Sequence, residues 1–360
     1  MMSQEVFYIL AINPGSTSTK LTVYENEKPL FQKTVYHSAR ELSSFDGDIS
    51  AQYEYRKEQV LKYLAQSDFD LAKLSAVVGR GGLLKPIEGG VYLIDERVIE
   101  DALIGVQGQH ASNLGVQLAK GIADNYGVPS FFVDPPSVDE FEPLARLSGL
   151  PELPRRSILH ALNLKAVGRR MAGDIGRKFE DLNLILTHLG GGISVVASRR
   201  GRFIDGNNAT EEGPFSPERS GHVPVRGLIQ LCYSGKYNAR ELDRKLVGQG
   251  GLVAYLGTND ASEVEKRVKS GDAKARLVFE AMAYQVSKEI GAMACVLAGK
   301  VDYIVLTGGL AFSEIFTGWV RGRTHWIAPV LVYPGEEEMR AMVEGALRVL
   351  RGEEKPRVYP

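Results

Sequence analysis

A histidine beside three consecutive glycines is the densest concentration of potential chemistry in this chain. Thr187-His188-Leu189-Gly190-Gly191-Gly192-Ile193-Ser194 follows an apolar run, Leu182 to Leu186, that reads as a buried strand. The glycines let the backbone turn tightly and approach something bulky, and the apolar pattern resumes at once with Ile193, Val195, Val196 and Ala197. Such a strand–glycine turn–strand offers a row of backbone N–H groups clear of side chains, a seat for phosphate oxygens. The same residues also suit an ordinary glycine-rich hairpin. Asn13-Pro14-Gly15-Ser16-Thr17-Ser18-Thr19-Lys20 repeats the layout near the start: a β-rich run from Val6 to Ile12, a turn of small residues, then Leu21-Thr22-Val23-Tyr24. Its hydroxyls and its lysine suit an anion, and Asn-Pro-Gly equally suits a plain polar turn.

Other chemistry-bearing residues sit at the ends of apolar runs. Leu74 to Val78 delivers Arg80, framed by Gly79, Gly81 and Gly82. An arginine in that frame can point its fork at a carboxylate or phosphate, or simply solvate a loop. Phe131-Phe132-Val133 ends in Asp134, placed for a ligand, a metal or a turn. Gly213 to Gly221 is a turn-rich loop carrying Arg219, and Val301 to Leu306 leads into Thr307-Gly308-Gly309, where a flat ring or a phosphate could lie close to the backbone. Pro334-Gly335-Glu336-Glu337-Glu338 opens a final helix, where an acidic first turn also suits the helix dipole.

These segments need a frame to hold them. The chain has 360 residues, enough for two domains, and the two phosphate-facing turns lie about half a chain apart. The order of strand-rich hairpins followed by helices occurs twice, which predicts mixed α/β architecture with two layered lobes and a cleft between them. One helix of about 25 residues is expected after Val91-Tyr92-Leu93-Ile94, with His110 near its middle, and Ser157 is positioned to cap the helix that follows it. Helices are expected over 226–247 and over 261–299, the second broken near Gly271. Lys plus Arg total 43 against 44 Asp plus Glu, which gives no electrostatic case for nucleic acid or an anionic membrane. Cys232 and Cys295 are isolated, without metal-ligand spacing, and suit a reducing compartment. No basic n-region precedes the first apolar run and no stretch approaches the roughly 20 apolar residues of a membrane span, so the cytoplasm is the expected location.

Taken in order, INPGSTSTK, VGRGG, QHASNLG, FVDP, THLGGGIS, FSPERSG, VLTGG and PGEEE resemble the short-chain carboxylate kinases of the acetate kinase family, over nearly the whole chain from residue 9 to residue 351. Within that family they look most like the butyrate kinases. The resemblance implies two ribonuclease-H-like domains of the actin-like ATPase superfamily, duplicated and closing over a nucleotide. Their expected extents are 1–155 and a nucleotide-binding 156–339, with a C-terminal helix at about 340–360 packing back on the first. It also implies roles. Asn13 lies near the transferred phosphate with Ser16, Ser18 and Lys20, and His188 contacts that phosphate beside Gly190, Gly191 and Gly192. Arg219 falls in ERSG where the family reads TRSG, and Gly308 and Gly309 lie near adenosine. Asp134 and Glu338 serve Mg²⁺, with Glu337 possible by a one-residue slip. Acetate kinases read RVVHGG where this chain reads VVGRGG, so Arg80 is the substrate-carboxylate candidate by proximity, and the shift favours the butyrate kinases.

The expected reaction is butanoate plus ATP giving butanoyl phosphate plus ADP. A carboxylate of pKa about 4–5 is already ionised at neutral pH and needs no general base, so the work is positioning and charge neutralisation. Butyrate, with isobutyrate, and the nucleotide are the expected partners, and the apolar face of a helix at 275–298 suits a homodimer or a higher homo-oligomer. The competing readings are an acetate or propionate kinase and, from a different class, an actin-like nucleotide-gated assembly or chaperone.

Overall fold

The computed structural model describes residues 5–360. The chain forms two compact units: one from the chain up to Val138 together with Glu337–Pro360, the other from Asp139–Glu336.

The first unit is built on a six-stranded sheet. β1 (Tyr8–Pro14), β2 (Ser18–Glu25) and β3 (Lys28–Tyr36) form an antiparallel meander. β4 (Ala76–Gly79) then lies parallel to β1, and β6 (Ser130–Val133) parallel to β4, with β5 (Val91–Leu93) antiparallel at the far edge of β6. The spatial order is β3-β2-β1-β4-β6-β5. The second unit repeats the plan. β7 (Asn183–Leu189), β8 (Ile193–Arg199) and β9 (Arg202–Gly206) form a meander, and β10 (Tyr303–Gly308) and β11 (Val330–Pro334) add in parallel on the other side of β7. Its order, β11-β10-β7-β8-β9, is the first sheet read in the opposite sense without β5. The duplication inferred from two similar turns is therefore a duplication of topology.

Burial explains why these runs are strands. Leu10 and Ile12 of β1, Val77 of β4 and Phe132 of β6 are sealed in one core with Leu114, Leu118 and Ile122 of the helix Leu114–Tyr126. Ile185 of β7, Val195 of β8 and Ile304 of β10 are sealed in the other with Phe279, Met282, Val286 and Ile290 of the helix Ala273–Val296. Central strands covered on both faces read as continuous apolar runs, as these do. The helix Glu338–Leu350 lies against β1, β4 and β6. The tail behind it is pinned by Tyr359, fully buried, whose hydroxyl donates to Asp101 Oδ2 at 2.9 Å and accepts from the Lys85 N–H at 2.8 Å.

Three helical expectations change. The single long helix after β5 is two, Glu96–Ile104 and Leu114–Tyr126. Gly105 ends the first in the left-handed conformation (φ 64°), and His110 caps a short 3-10 turn before the second. The span 226–247 likewise divides into Val225–Cys232 and Ala239–Leu246, with Asn238 and Glu241 forming a capping box at the second start. The expected break near Gly271 is present, with Asp272 capping Ala273–Val296. His160, not Ser157, precedes the first turn of Ala161–Asp174. No helix among the described residues is long and apolar enough to cross a membrane.

Candidate functional site

In both units the polar residues gather where the central parallel strands end, the usual address of ligand sites in α/β sheets. In the first unit the β1–β2 turn, the end of β4 and the start of the final helix meet around a cavity of about 350 Å³. Asn13, Ser18, Lys20, Arg80, His110 and Glu338 are among the residues on its wall. Asn13 and Lys20 face each other across the β1–β2 register. Arg80 leaves β4 directly after its last residue, and the loop behind it is fastened by Asn113, whose Oδ1 accepts the Leu83 N–H at 2.9 Å.

Glu338 organises this cluster. One of its oxygens meets Arg80 Nη2 at 3.1 Å, and the other accepts from Asn13 Nδ2 at 2.7 Å. Arg80 is 8% exposed, and its Nη1 is buried with no hydrogen-bond partner. An orphaned charged donor is unfavourable enough to demand an explanation, and a cavity on the same wall supplies one: an acceptor that comes from outside the chain. Ser16 is exposed in the turn but does not line the cavity.

The two carboxylates expected to serve a metal are placed differently. Glu338 stands on the cavity wall; Asp134 does not. Asp134 is fully buried at φ 39°, its N–H donates to the Gly90 carbonyl at 3.1 Å, and its Oδ1 accepts the Gly90 N–H at 2.7 Å. That double clamp fastens the end of β6 to the chain entering β5. Glu337, the alternative to Glu338, lies 3.6 Å from Arg340 on the helix surface. Among the described residues no three His, Cys, Asp or Glu side chains gather into a metal site. A single carboxylate fits a Mg²⁺ that takes most of its ligands from phosphate and water.

The β1–β2 turn rests on residues that the sequence pattern did not single out. Arg56, fully buried in the helix Tyr53–Ala65, donates to the carbonyls of Gly15 (2.8 Å) and Ser16 (3.1 Å). Next to it His37, 4% exposed, meets Thr19 Oγ1 at 2.9 Å. Burial first, and the Arg56 charge second, push the His37 imidazole down to about 4 from 6.5. Above pH 6.5 His37 is neutral folded or unfolded. Between pH 6.5 and 4 the unfolded chain takes up a proton that the folded chain refuses, so stability falls as pH drops. The total loss from this residue is at most about 3 kcal/mol. Urea denaturation at pH 7.0 and 4.5 measures it, and His37→Gln is expected to flatten that part of the profile.

In the second unit the sequence-expected residues converge more completely. His188 is the next-to-last residue of β7 and 3% exposed; Nδ1 meets Asn163 Oδ1 at 2.9 Å and Nε2 lies 3.3 Å from Glu336 Oε1. The ring of His160 stacks on it, centroids 4.0 Å apart and planes 15° from parallel. Asn163, His160 and Glu336 complete the surroundings of this histidine, and none announced itself as its partner. The three glycines have separate reasons. A Cβ on Gly190 would fall 2.7 Å from His188 Nε2, and one on Gly192 would fall 2.4 Å from Arg219 Nη1. Gly191 instead gives its carbonyl to the Ser216 hydroxyl, which ties the Arg219 loop to the turn. The glycines are thus what lets a histidine and an arginine lie directly on the turn.

Arg219 donates through Nη1 to the Ala209 carbonyl at 2.7 Å, and no carboxylate among the described residues pairs with it. Burial pulls its pKa below the ordinary arginine value, with Glu218 opposing. Thr307, just before Gly308, is the register partner of His188, so the Gly308–Gly309 turn stands beside the glycine turn. Gly308 (φ 93°) in turn exchanges backbone hydrogen bonds with Gly335. The residues expected on the nucleotide side are therefore neighbours at the ends of β7, β10 and β11.

Residues 152–314 match the family model described as Acetokinase family. The chain is similar in structure to an acetate kinase from Porphyromonas gingivalis, with a TM-score of 0.77 at 18% identity over 96% of this chain and 100% of the other. It is also similar to a propionate kinase from Francisella tularensis subsp. tularensis, with a TM-score of 0.74 at 19% identity over 94% and 98%. An acetate kinase from Entamoeba histolytica gives 0.74 at 16% identity over 94% and 99%. These likenesses show the fold, a two-domain α/β arrangement with mixed sheets like that of the acetate and propionate kinases.

Proposed function

We propose that this chain is a carboxylate kinase of the acetokinase family that moves the terminal phosphoryl group of ATP onto butanoate, giving butanoyl phosphate and ADP. The observation that carries the reading is Arg80: a buried guanidinium whose Nη1 has no partner, on the wall of a cavity shared with Asn13, Ser18 and Lys20. A small carboxylate accepts from such a donor through a charge-assisted hydrogen bond.

The acceptor class follows from what the cavity lacks. A hydroxyl acceptor, as in a sugar, needs a carboxylate free to take its proton. Among the residues lining this cavity the carboxylate is Glu338, and both its oxygens are engaged by Arg80 and Asn13. A carboxylate acceptor is already ionised and needs none. Arg80 would then hold and aim the acid, while Asn13, Ser18 and Lys20 receive phosphate oxygens. His188 and Arg219 would serve the transferring group, with Gly190, Gly191 and Gly192 offering backbone N–H groups and Gly308 and Gly309 admitting the adenosine. Mg²⁺, when bound with the nucleotide, neutralises phosphate charge, and Glu338 is the residue suited to reach its water shell.

A hydroxamate assay over acetate, propionate, butyrate and isobutyrate tests the proposal. The highest kcat/KM is expected for butyrate, with acids one methylene away lower by roughly 10- to 200-fold. A maximum at acetate or propionate would move the substrate and keep the reaction. ATP hydrolysis indifferent to every acid would overturn the reaction and favour a nucleotide-gated assembly protein.

A further inference from the structure

Arg56 is as completely enclosed as any charge among the described residues of the first unit. It is 0% exposed, and all five of its N–H groups have acceptors within reach. Nη1 donates to the Gly15 carbonyl (2.8 Å) and lies near the Ser18 carbonyl (3.4 Å) and Thr19 Oγ1 (3.3 Å). Nη2 donates to the Ser16 carbonyl (3.1 Å) and to Gln52 Oε1 (2.9 Å), which also accepts from Nε at 3.0 Å. Every one of these acceptors is neutral. Buried cations in proteins are ordinarily matched by an acid, and this one is satisfied as a donor while its charge is not balanced. Burial lowers its pKa, and the neighbouring His37 is held neutral, so no proton there relieves or adds to the field.

The carbonyls that Arg56 gathers belong to the β1–β2 turn. Drawing the oxygens of Gly15, Ser16 and Ser18 inward commits that side of the turn to the guanidinium and keeps its carbonyl dipoles off the cavity lined by Gly15, Ser18 and Lys20. An anion in the cavity would meet the turn with a permanent positive charge directly behind it. We infer that Arg56 is a positioning residue whose uncompensated charge is balanced by the bound phosphoryl group, so that the turn is electrostatically complete only when a tetrahedral oxyanion is in place. This rests on the carboxylate-kinase reading above for the presence of a phosphate at the turn.

Gln52 provides a way to separate charge from scaffolding. Gln52→Glu keeps an acceptor for both Arg56 donors and adds the missing negative charge. If the charge serves the ligand, the variant is expected to melt at or above the wild-type temperature yet raise the MgATP KM at least about fivefold, with the butyrate KM changed less than about twofold. A role confined to bracing the turn predicts the same or a higher Tm with an unchanged MgATP KM, which would overturn the inference. Arg56→Lys and Arg56→Gln keep the question answerable if Gln52→Glu does not fold. Both lose the fork, but only lysine keeps the charge, so the glutamine variant must lose more MgATP affinity. Equal losses would likewise overturn it. Wild-type protein without acid-dependent ADP release defeats the carboxylate-kinase reading instead, independently of any Arg56 variant.

Discussion

Arg219→Ala is expected to lower kcat by at least about a hundredfold while the KM values for acid and ATP move less than about threefold. The size follows from what holds the side chain. Arg219 is half-buried against Gly192, where no Cβ keeps it away, and its guanidinium donates to a neutral carbonyl, with no carboxylate among the described residues paired to it. A charge kept in that state is poorly stabilised in the resting protein and well placed to meet negative charge that grows during phosphoryl transfer. Interactions stronger in the transition state than in the ground state appear in kcat rather than in KM. Arginines that serve a transferring phosphoryl group contribute roughly 10³- to 10⁵-fold in known cases. Arg219→Lys should recover only part of the loss, because an ammonium offers no planar fork. Coupled ADP-release kinetics on the two variants, with matched thermal unfolding, provide the check. Near-normal turnover by a folded Arg219→Ala would remove this residue from the chemistry.

The features legible in the sequence were those whose cause is local. The β1–β2 and β7–β8 turns announced themselves because small residues interrupt runs buried on both faces, and the two fell at equivalent points of one repeated topology. β3 and β9 gave no such signal. β3 lies at a sheet edge and exposes most of its residues, so Lys28 to Tyr36 carries charge where a central strand carries valine. Arg56 was illegible for another reason: its acceptor Gly15 lies 41 residues away, and an arginine on an amphipathic helix looks like surface until that helix is docked. The acidic run at 336–338 shows the limit most sharply. Three adjacent glutamates leave a strand and enter a helix, and each turns to a different basic group: Glu336 to His188, Glu337 to Arg340, Glu338 to Arg80. Residue type cannot distinguish them; the change of backbone direction does. Asp134 was rightly placed at a strand end, but its positive φ and the Gly90 clamp turn its carboxylate to the backbone.

For Arg80→Ala the expected result is a rise in acid KM of roughly 10- to 150-fold, with ATP KM nearly unchanged. A hydrogen bond to a charged group contributes about 1.5–3 kcal/mol, and each 1.4 kcal/mol is about tenfold in affinity. Under the proposed function the unpartnered Nη1 acts in the ground-state complex: an acid that fills the orphaned position gains a bond before any phosphoryl group moves, so KM carries the loss. Stability should respond weakly. Removing Arg80 takes away its pairing with Glu338, a side chain 27% exposed that water can still reach and that keeps Asn13. It also removes a buried donor that was satisfied by nothing, and these two changes oppose one another. Arg80→Lys tests the geometry: a single ammonium can stay on Glu338 or turn to the acid, but it lacks the fork that does both, so its acid KM should lie nearer alanine than wild type. Initial rates with butyrate and ATP varied independently, alongside thermal melts, distinguish the outcomes. An unchanged acid KM accompanied by collapse of ATP binding would reassign Arg80 to the nucleotide and leave the carboxylate without its anchor.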